Sequence, residues 1–275
     1  MTPHNLANFD NNSPIGVFDS GLGGLTVLRE LKKRLPGESF VYLGDTARAP
    51  YGSKGARTIA RYARDCIRFL TGKKVKLIVA ACNTVSALGE GRLNEESVSP
   101  VIGTIPSAVR EVSKMSACTQ LGVIGTEATI ASRAYEQAFL AAMPELHVTS
   151  IACPLFVPLV EQGMLAGEVP EAVIKYYLES SKNNQIDALV LACTHYPLLK
   201  ESLGLYMGSN VEIIEPSKSV AELVEEYLEG KALLNNQKSI PKIEYFVTDD
   251  VSRFDYLAKH FLQNEEVNSL KVEEL

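Results

Sequence analysis

Leu77-Ile-Val-Ala-Ala-Cys82-Asn83-Thr84 is an apolar run of strand length that ends in a cysteine and then in small polar residues suited to starting a helix. It has a distant twin in Leu189-Val-Leu-Ala-Cys193-Thr194-His195. Both cysteines therefore fall where a strand ends. In an open parallel sheet the ligand crevice lies outside the carboxyl ends of the strands, which makes two strand-end cysteines candidates for one site. A helix N-terminus beside a thiol favours its thiolate form. One free cysteine at such a place is as readily a small buried hydrophobe. Two in the same local context point to chemistry.

Outward from this pair the chain alternates strand and helix. Ile15-Gly-Val-Phe18 reads as the first buried strand and runs into Asp19-Ser20-Gly21-Leu-Gly23-Gly24. Leu25 to Leu35 fits an amphipathic helix that stops before Pro36-Gly37. Phe40 to Leu43 is the next strand, followed by Gly44-Asp45-Thr46 and by the loop Pro50-Tyr51-Gly52, then by a helix over Ala56 to Leu70. After Cys82 come a helical stretch beyond Thr84, a short Val101-Ile102 strand and a helix over Ala108 to Met115. This order is the signature of a parallel α/β sheet.

From Leu121 the pattern restarts. Gly122-Val-Ile-Gly-Thr126 matches Gly16-Val-Phe-Asp-Ser20, and the offsets Gly16 to Cys82 and Gly122 to Cys193 differ by only a few residues, which suggests an internal duplication. In this plan Val148 to Ala152 corresponds to Phe40 to Leu43, and Asp45 and Glu161 are the carboxylates that follow each second strand. Helices over Glu171 to Ser180 and Leu198 to Leu205 flank the Cys193 strand. Strands near Val211 to Ile214 and Ile243 to Val247, with helices over Ser219 to Leu228 and Arg253 to Leu262, return the chain to its first domain. The expected organisation is two similar parallel-sheet α/β domains related by a pseudo-twofold duplication, residues 1–106 with 218–275 and residues 107–217, with the site in the cleft between them.

The 275 residues carry 27 Lys and Arg against 33 Asp and Glu, a formal charge of -6, which argues against a binder of nucleic-acid backbone. The series Arg57, Arg61, Arg64 and Arg68 has the spacing of one helix face and reads as a solvated stripe. The first dozen residues lack a basic segment and an apolar core, so no secretory signal is expected, and no apolar run approaches the ~20 residues of a membrane span. A cytoplasmic protein is the expectation. Its five cysteines form no CxxC pair, which speaks against a disulfide framework and a structural zinc site. Cys66 and Cys118 lie in helical patterns and Cys153 precedes a proline, and all three read as inert packing.

The glycine-rich turn after Phe18 is neither a dinucleotide fingerprint, since Thr26 stands where the third glycine belongs, nor a Walker loop. What remains is a turn whose N–H groups suit a carboxylate, with Asp19 available for an ammonium. His195, two residues beyond Cys193, fits a proton partner for a thiol. Two thiols, two carboxylates and an imidazole suit removal of a proton from one face of a carbon and return of a proton to the other, with no metal or electron sink.

Asp19-Ser20-Gly-Leu-Gly-Gly, Asp45 with Pro50-Tyr51-Gly52, Ala81-Cys82-Asn83-Thr84, Gly125-Thr126-Glu-Ala-Thr129 and Ala192-Cys193-Thr194-His195-Tyr196-Pro197 together resemble the motif set of the bacterial glutamate racemases, in order from about residue 15 to beyond 250. The resemblance implies a cofactor-independent 1,1-proton transfer between L- and D-glutamate, the latter for peptidoglycan, and a homodimer. It implies that Cys82 takes the proton from D-glutamate and Cys193 from L-glutamate, each serving as acid in the other direction. Asp19, Asp45, Glu161 and His195 join them as the catalytic set. Asp19, Ser20, Pro50, Tyr51, Gly52, Asn83, Thr84, Thr126, Thr129, Thr194 and His195 line the substrate pocket around the two thiols. The alternatives are a related aspartate or hydantoin racemase, with side-chain length set near Tyr51 and the Thr126 to Thr129 loop, a non-catalytic amino-acid-binding protein, and a cysteine hydrolase needing only one of the thiols.

Overall fold

The computed structural model describes residues 10–183, 185–236, 240–249, 251–262, 267 and 270–275, so the start of the N-terminal leader and part of the tail lie outside the described residues. In chain order the elements are β1 (Ile15–Asp19), α1 (Leu25–Arg34), β2 (Phe40–Gly44), α2 (Ala56–Gly72), β3 (Leu77–Ala80), α3 (Asn83–Ser86), α4 (Glu90–Glu95), β4 (Val101–Ile102) and α5 (Ile105–Ser113). Then follow β5 (Gln120–Gly125), α6 (Glu127–Ala131), α7 (Ala134–Ala142), β6 (His147–Ala152), α8 (Phe156–Glu161), α9 (Glu168–Asn183), β7 (Ala188–Ala192), α10 (Lys200–Met207) and β8 (Glu212–Ile214). The chain closes with α11 (Ser217–Gly230), β9 (Ile243–Val247), α12 (Val251–Phe261) and β10 (Leu270–Val272).

All strand pairs are parallel and form two sheets, ordered β10-β9-β2-β1-β3-β4 and β6-β5-β7-β8. Strands β2-β1-β3-β4 of the first repeat the order β6-β5-β7-β8 of the second, as the duplication requires, and β9 and β10 extend the first sheet beyond β2. The register repeats too. Gly16 pairs with Val41 and Ile78, and Gly122 pairs with Thr149 and Leu189. Counted from those partners, Cys82 and Cys193 stand at the same level of their sheets, beyond the carboxyl ends of β3 and β7. The same count corrects one expectation: the residue matched to Asp45 is Cys153, and Glu161 lies further on, at the last residue of α8.

The inner strands β1, β2, β3, β5 and β7 are buried almost throughout because helices cover both faces of each sheet. One core cluster fills the space between the facing layers of the two sheets, from Val17, Leu28 and Tyr42 to Leu191, Tyr196, Val224 and Phe254. A second lies under α2, whose Ile59, Ala63, Cys66, Ile67 and Leu70 form its buried face, and a third lies under α5 and α7. Arg57, Arg61 and Arg68 are exposed on the opposite side of α2 and Arg64 pairs with Glu96, the solvated stripe expected.

Several boundaries differ from the sequence reading, each for a local reason. Gly89, at φ +90°, divides the stretch after Cys82 into α3 and α4. Pro197 sits in a 3-10 turn over Tyr196–Leu199, so α10 begins only at Lys200. Helix α5 starts earlier, with Pro106 in its first turn, and ends at Ser113, so Cys118 lies in the following turn rather than in a helix. A buried ion pair was not anticipated. Lys76 meets Glu38 at 2.6 Å and also donates to the carbonyls of Asn11 and Leu233, fastening the leader and the segment after α11 to the start of β3.

Candidate active site between the two sheets

Cys82 leaves β3 in an extended conformation and occupies the cap position of α3, where the N–H of Val85 reaches it, and its thiol donates to Ser20 Oγ at 3.6 Å. Cys193 leaves β7 into the turn that carries Thr194 and His195. Both line one inner cavity with Ser20, Pro50, Tyr51, Gly52, Asn83, Thr84, Thr126, Glu161, Thr194 and His195. The cavity is small, about 30 Å³, which is room for roughly one water. A wider cavity of about 500 Å³ adjoins it, sharing Gly21, Ala49, Pro50, Gly52, Thr126, Val157 and Glu161 and adding apolar walls from Leu22, Pro154, Pro158 and Phe254.

The two layers touch closely around this chamber. A Cβ added at Gly23 would stand 2.1 Å from Thr194 Oγ1 and 2.6 Å from His195 Nδ1, and one at Gly52 would stand 2.5 Å from Thr126 Cβ. These glycines serve the approach of one layer to the other. Thr84 from the first layer meets Thr126 at 3.0 Å and Thr129 at 3.2 Å, and the last two are 2.9 Å apart. Thr126 also caps α6 through the N–H of Thr129. His195 Nε2 is 3.2 Å from Glu161 Oε1, and its ring stands edge-on to Phe261 at 5.3 Å.

A model of the Asp/Glu/Hydantoin racemase family matches residues 15–224. The chain belongs to that family. Among similar proteins, the curated glutamate racemase of Geobacter metallireducens is 42% identical over 248 residues, covering 90% of this chain and 92% of the relative. Among solved structures, the glutamate racemase of Francisella tularensis in complex with D-glutamate superposes with a TM-score of 0.90 at 39% identity, over 96% of this chain and 98% of that one. A glutamate racemase of Bacillus anthracis superposes at 0.91 and 35% identity, with the same coverage.

In this racemase Asp19 and Asp45 are equally buried and differ in what holds them. Asp19 is fully buried, and the N–H groups of the glycine-rich turn close on it, Gly21 N donating to Oδ2 at 2.9 Å while Thr194 Oγ1 lies 3.4 Å from Oδ1. The turn thus binds the chain's own carboxylate, where the sequence had suggested that of a ligand. Burial raises the Asp19 pKa against the opposing pull of His195 and of those N–H groups. Asp45 is not brought to the cavity. Its oxygens accept from Arg48 Nε at 2.6 Å, Thr248 Oγ1 at 2.9 Å and the hydroxyl of Tyr51, so it holds the loop that carries Pro50, Tyr51 and Gly52.

Burial, with Asp19 adding, pushes Cys82 up to about 12, and the N–H of Val85 and the contact with Ser20 do not offset this, so the expected lowering by a helix start is outweighed. Burial also raises Cys66 and Cys153, the packing cysteines, and brings Cys118 up to about 11. His195 moves the other way from a buried imidazole. Burial lowers its pKa, but hydrogen bonds with Cys193 and Glu161 outweigh this and raise it to about 10. Tyr135 and Thr104, which hold Asn83, and Phe261, which abuts His195, had no signal in the sequence beyond ordinary helix and turn patterning. Among the described residues no cluster of His, Cys, Asp and Glu has the makings of a metal site, and no helix is long and apolar enough to cross a membrane.

Proposed function

We propose that this racemase interconverts L- and D-glutamate by two-base proton transfer at Cα without a cofactor, Cys82 and Cys193 acting from opposite faces. The observation that carries the proposal is that matching strand ends of the two sheets bring both cysteines to one cavity, together with the amide, hydroxyl and imidazole groups of Asn83, Thr84, Thr194 and His195. From L-glutamate, the thiolate of Cys193 takes the α-proton and the S–H of Cys82 returns a proton to the other face. The raised pKa of Cys82 keeps it protonated for that task. Protonated His195, held by Glu161, is the charge partner for the Cys193 thiolate. In the reverse direction the Cys82 thiolate left by that step takes the α-proton of D-glutamate and the S–H of Cys193 returns a proton to the other face, with Asp19 the neighbouring carboxylate of raised proton affinity. Asp45 is a positioning residue for the loop over the cavity.

The α-hydrogen of an amino acid is weakly acidic, so the carbanion-like transition state needs fixed donors in a water-poor cleft. Buried hydroxyls and N–H groups around a chamber closed by the contacts of Gly23 and Gly52 meet that need. The substrate pocket we assign is Asp19, Ser20, Pro50, Tyr51, Gly52, Asn83, Thr84, Thr126, Thr129, Thr194 and His195 around the two thiols. We assign the bodies as residues 1–106 with 218–275 and residues 107–217, in a cytoplasmic homodimer supplying D-glutamate for peptidoglycan.

The test is racemisation in deuterated water with no added cofactor. L-glutamate is expected to yield D-glutamate labelled at Cα, while Cys82→Ala and Cys193→Ala each abolish turnover of both enantiomers. Turnover that survives loss of either thiol rejects the scheme. Faster turnover of aspartate than of glutamate rejects the substrate.

A further inference from the structure

Asn83 lines the inner cavity, and its carboxamide is held in one orientation. Its Oδ1 accepts from Thr104 Oγ1 at 2.8 Å and from the hydroxyl of Tyr135, and those two hydroxyl oxygens are 3.2 Å apart. A carbonyl oxygen offers two lone pairs, and both are taken, so the –NH2 end of the amide is the one left for the cavity. The two partners come from different parts of the fold. Thr104 precedes α5, whereas Tyr135 lies on α7 with its ring in the core beneath the second sheet. The bond from Tyr135 to Asn83 therefore crosses from one layer to the other.

We propose that Tyr135 is a positioning residue for racemisation, which acts by fixing the Asn83 carboxamide so that it presents N–H donors to a substrate carboxylate. The inference rests on the assignment of Asn83 to the substrate pocket and goes beyond it by naming what orients the residue. A buried tyrosine hydroxyl needs a partner. This one finds it in a cavity residue of the opposite layer, although Tyr135 does not itself line the cavity. Burial raises the phenol's pKa and the nearby Cys193 and Cys82 add to it, so the hydroxyl stays protonated and donates. Without that donor the amide is free to turn its oxygen toward an anionic substrate, replacing attraction by repulsion.

The experiment is a double-mutant cycle on glutamate racemisation, followed in both directions. Activity of the unaltered protein tests the parent reading separately. Tyr135→Phe keeps the ring and removes the donor, and it is expected to raise KM for both enantiomers about tenfold, the scale of one hydrogen bond, with a much smaller change in kcat. kcat/KM then falls equally in both directions, as the mirror-image relation of substrate and product requires. Asn83→Ala is expected to weaken binding further, and the double variant to match Asn83→Ala within about twofold, because a residue that acts through another has nothing left to orient. Asn83→Asp keeps acceptors for both hydroxyls but loses the donor, and is expected to lose substrate binding. An unchanged KM in Tyr135→Phe, effects that multiply in the double variant, or normal binding by Asn83→Asp would each overturn the proposal.

Discussion

At the scale of a residue, His195 couples the site to pH. Its pKa is raised from 6.5 to about 10, so the folded protein holds this proton more tightly than the unfolded chain does. The stabilisation is fully present below the unfolded value and fades as pH rises through the folded one. Cys82, raised from 9.0 to about 12, acts in the same sense at higher pH, since the unfolded chain ionises first. Melting temperature is therefore expected to fall between pH 7 and pH 10, and His195→Gln is expected to flatten that fall, leaving the decline above pH 9 that belongs to the buried thiols, Cys82 with Cys66, Cys118 and Cys153. An equal slope in both proteins, measured by differential scanning calorimetry, would place the proton elsewhere. Cys82, Cys193 and His195 were legible in the sequence because strand-end position is set by local apolar runs. The roles of Tyr135 and Thr104 were not, because a tyrosine in a helix reads as packing until its hydroxyl is seen to reach a different layer.

At the scale of an element, the loop from Asp45 to Ser53 shows why a carboxylate at a strand end was legible as important and its work was not. Asp45 follows β2, pairs with Arg48 and accepts from Tyr51 and Thr248, while Thr46 Oγ1 donates to the carbonyl of Asp249. Arg48 reaches on to Asp65 of α2 at 2.8 Å, so the loop is tied to the helix beneath it and to the end of β9. The β9 partner lies about 200 residues away in the chain, a separation that no local pattern signals. Asp45→Asn removes the charge but keeps one acceptor. It is expected to destabilise the protein by about 1–3 kcal/mol, the cost of leaving buried donors poorly matched. Because Asp45 shapes the wall formed by Tyr51 and Gly52 and does not reach the cavity, KM is expected to rise more than kcat falls. A collapse of kcat at unchanged KM in steady-state assays would return Asp45 to the proton-transfer machinery.

At the scale of the whole molecule, the duplicated architecture was legible because the repeat is written in strand order and register. The packing between the layers was not, because it depends on contacts such as Gly23 on Thr194 and Gly52 on Thr126 that only the assembled fold creates. Between β4 and β5, and again between β8 and β9, the chain changes sheet, and the helices α5 and α11 in these two connections are joined by Arg110 with Glu222 and Glu226 and by Lys114 with Glu222. Partly exposed pairs of this kind contribute little each, on the order of 0–1 kcal/mol, so they add little to the apolar core that joins the layers. The inner chamber of about 30 Å³ holds roughly one water, so entry of glutamate to the thiols is expected to part the layers where Gly52 meets Thr126. A cross-link at the Gly52–Thr126 contact tests this. A Cβ at Gly52 would lie 2.5 Å from that of Thr126, inside the ~3.8 Å of a relaxed disulfide, so a small outward shift accommodates the bond while full opening is blocked. Oxidised Gly52→Cys/Thr126→Cys protein is expected to lose most of its turnover relative to the same protein after reduction, which itself carries any loss due to the substitutions. Equal turnover in the two redox states, with the cross-link confirmed by mass spectrometry, would mean that substrate reaches the thiols without the layers separating there.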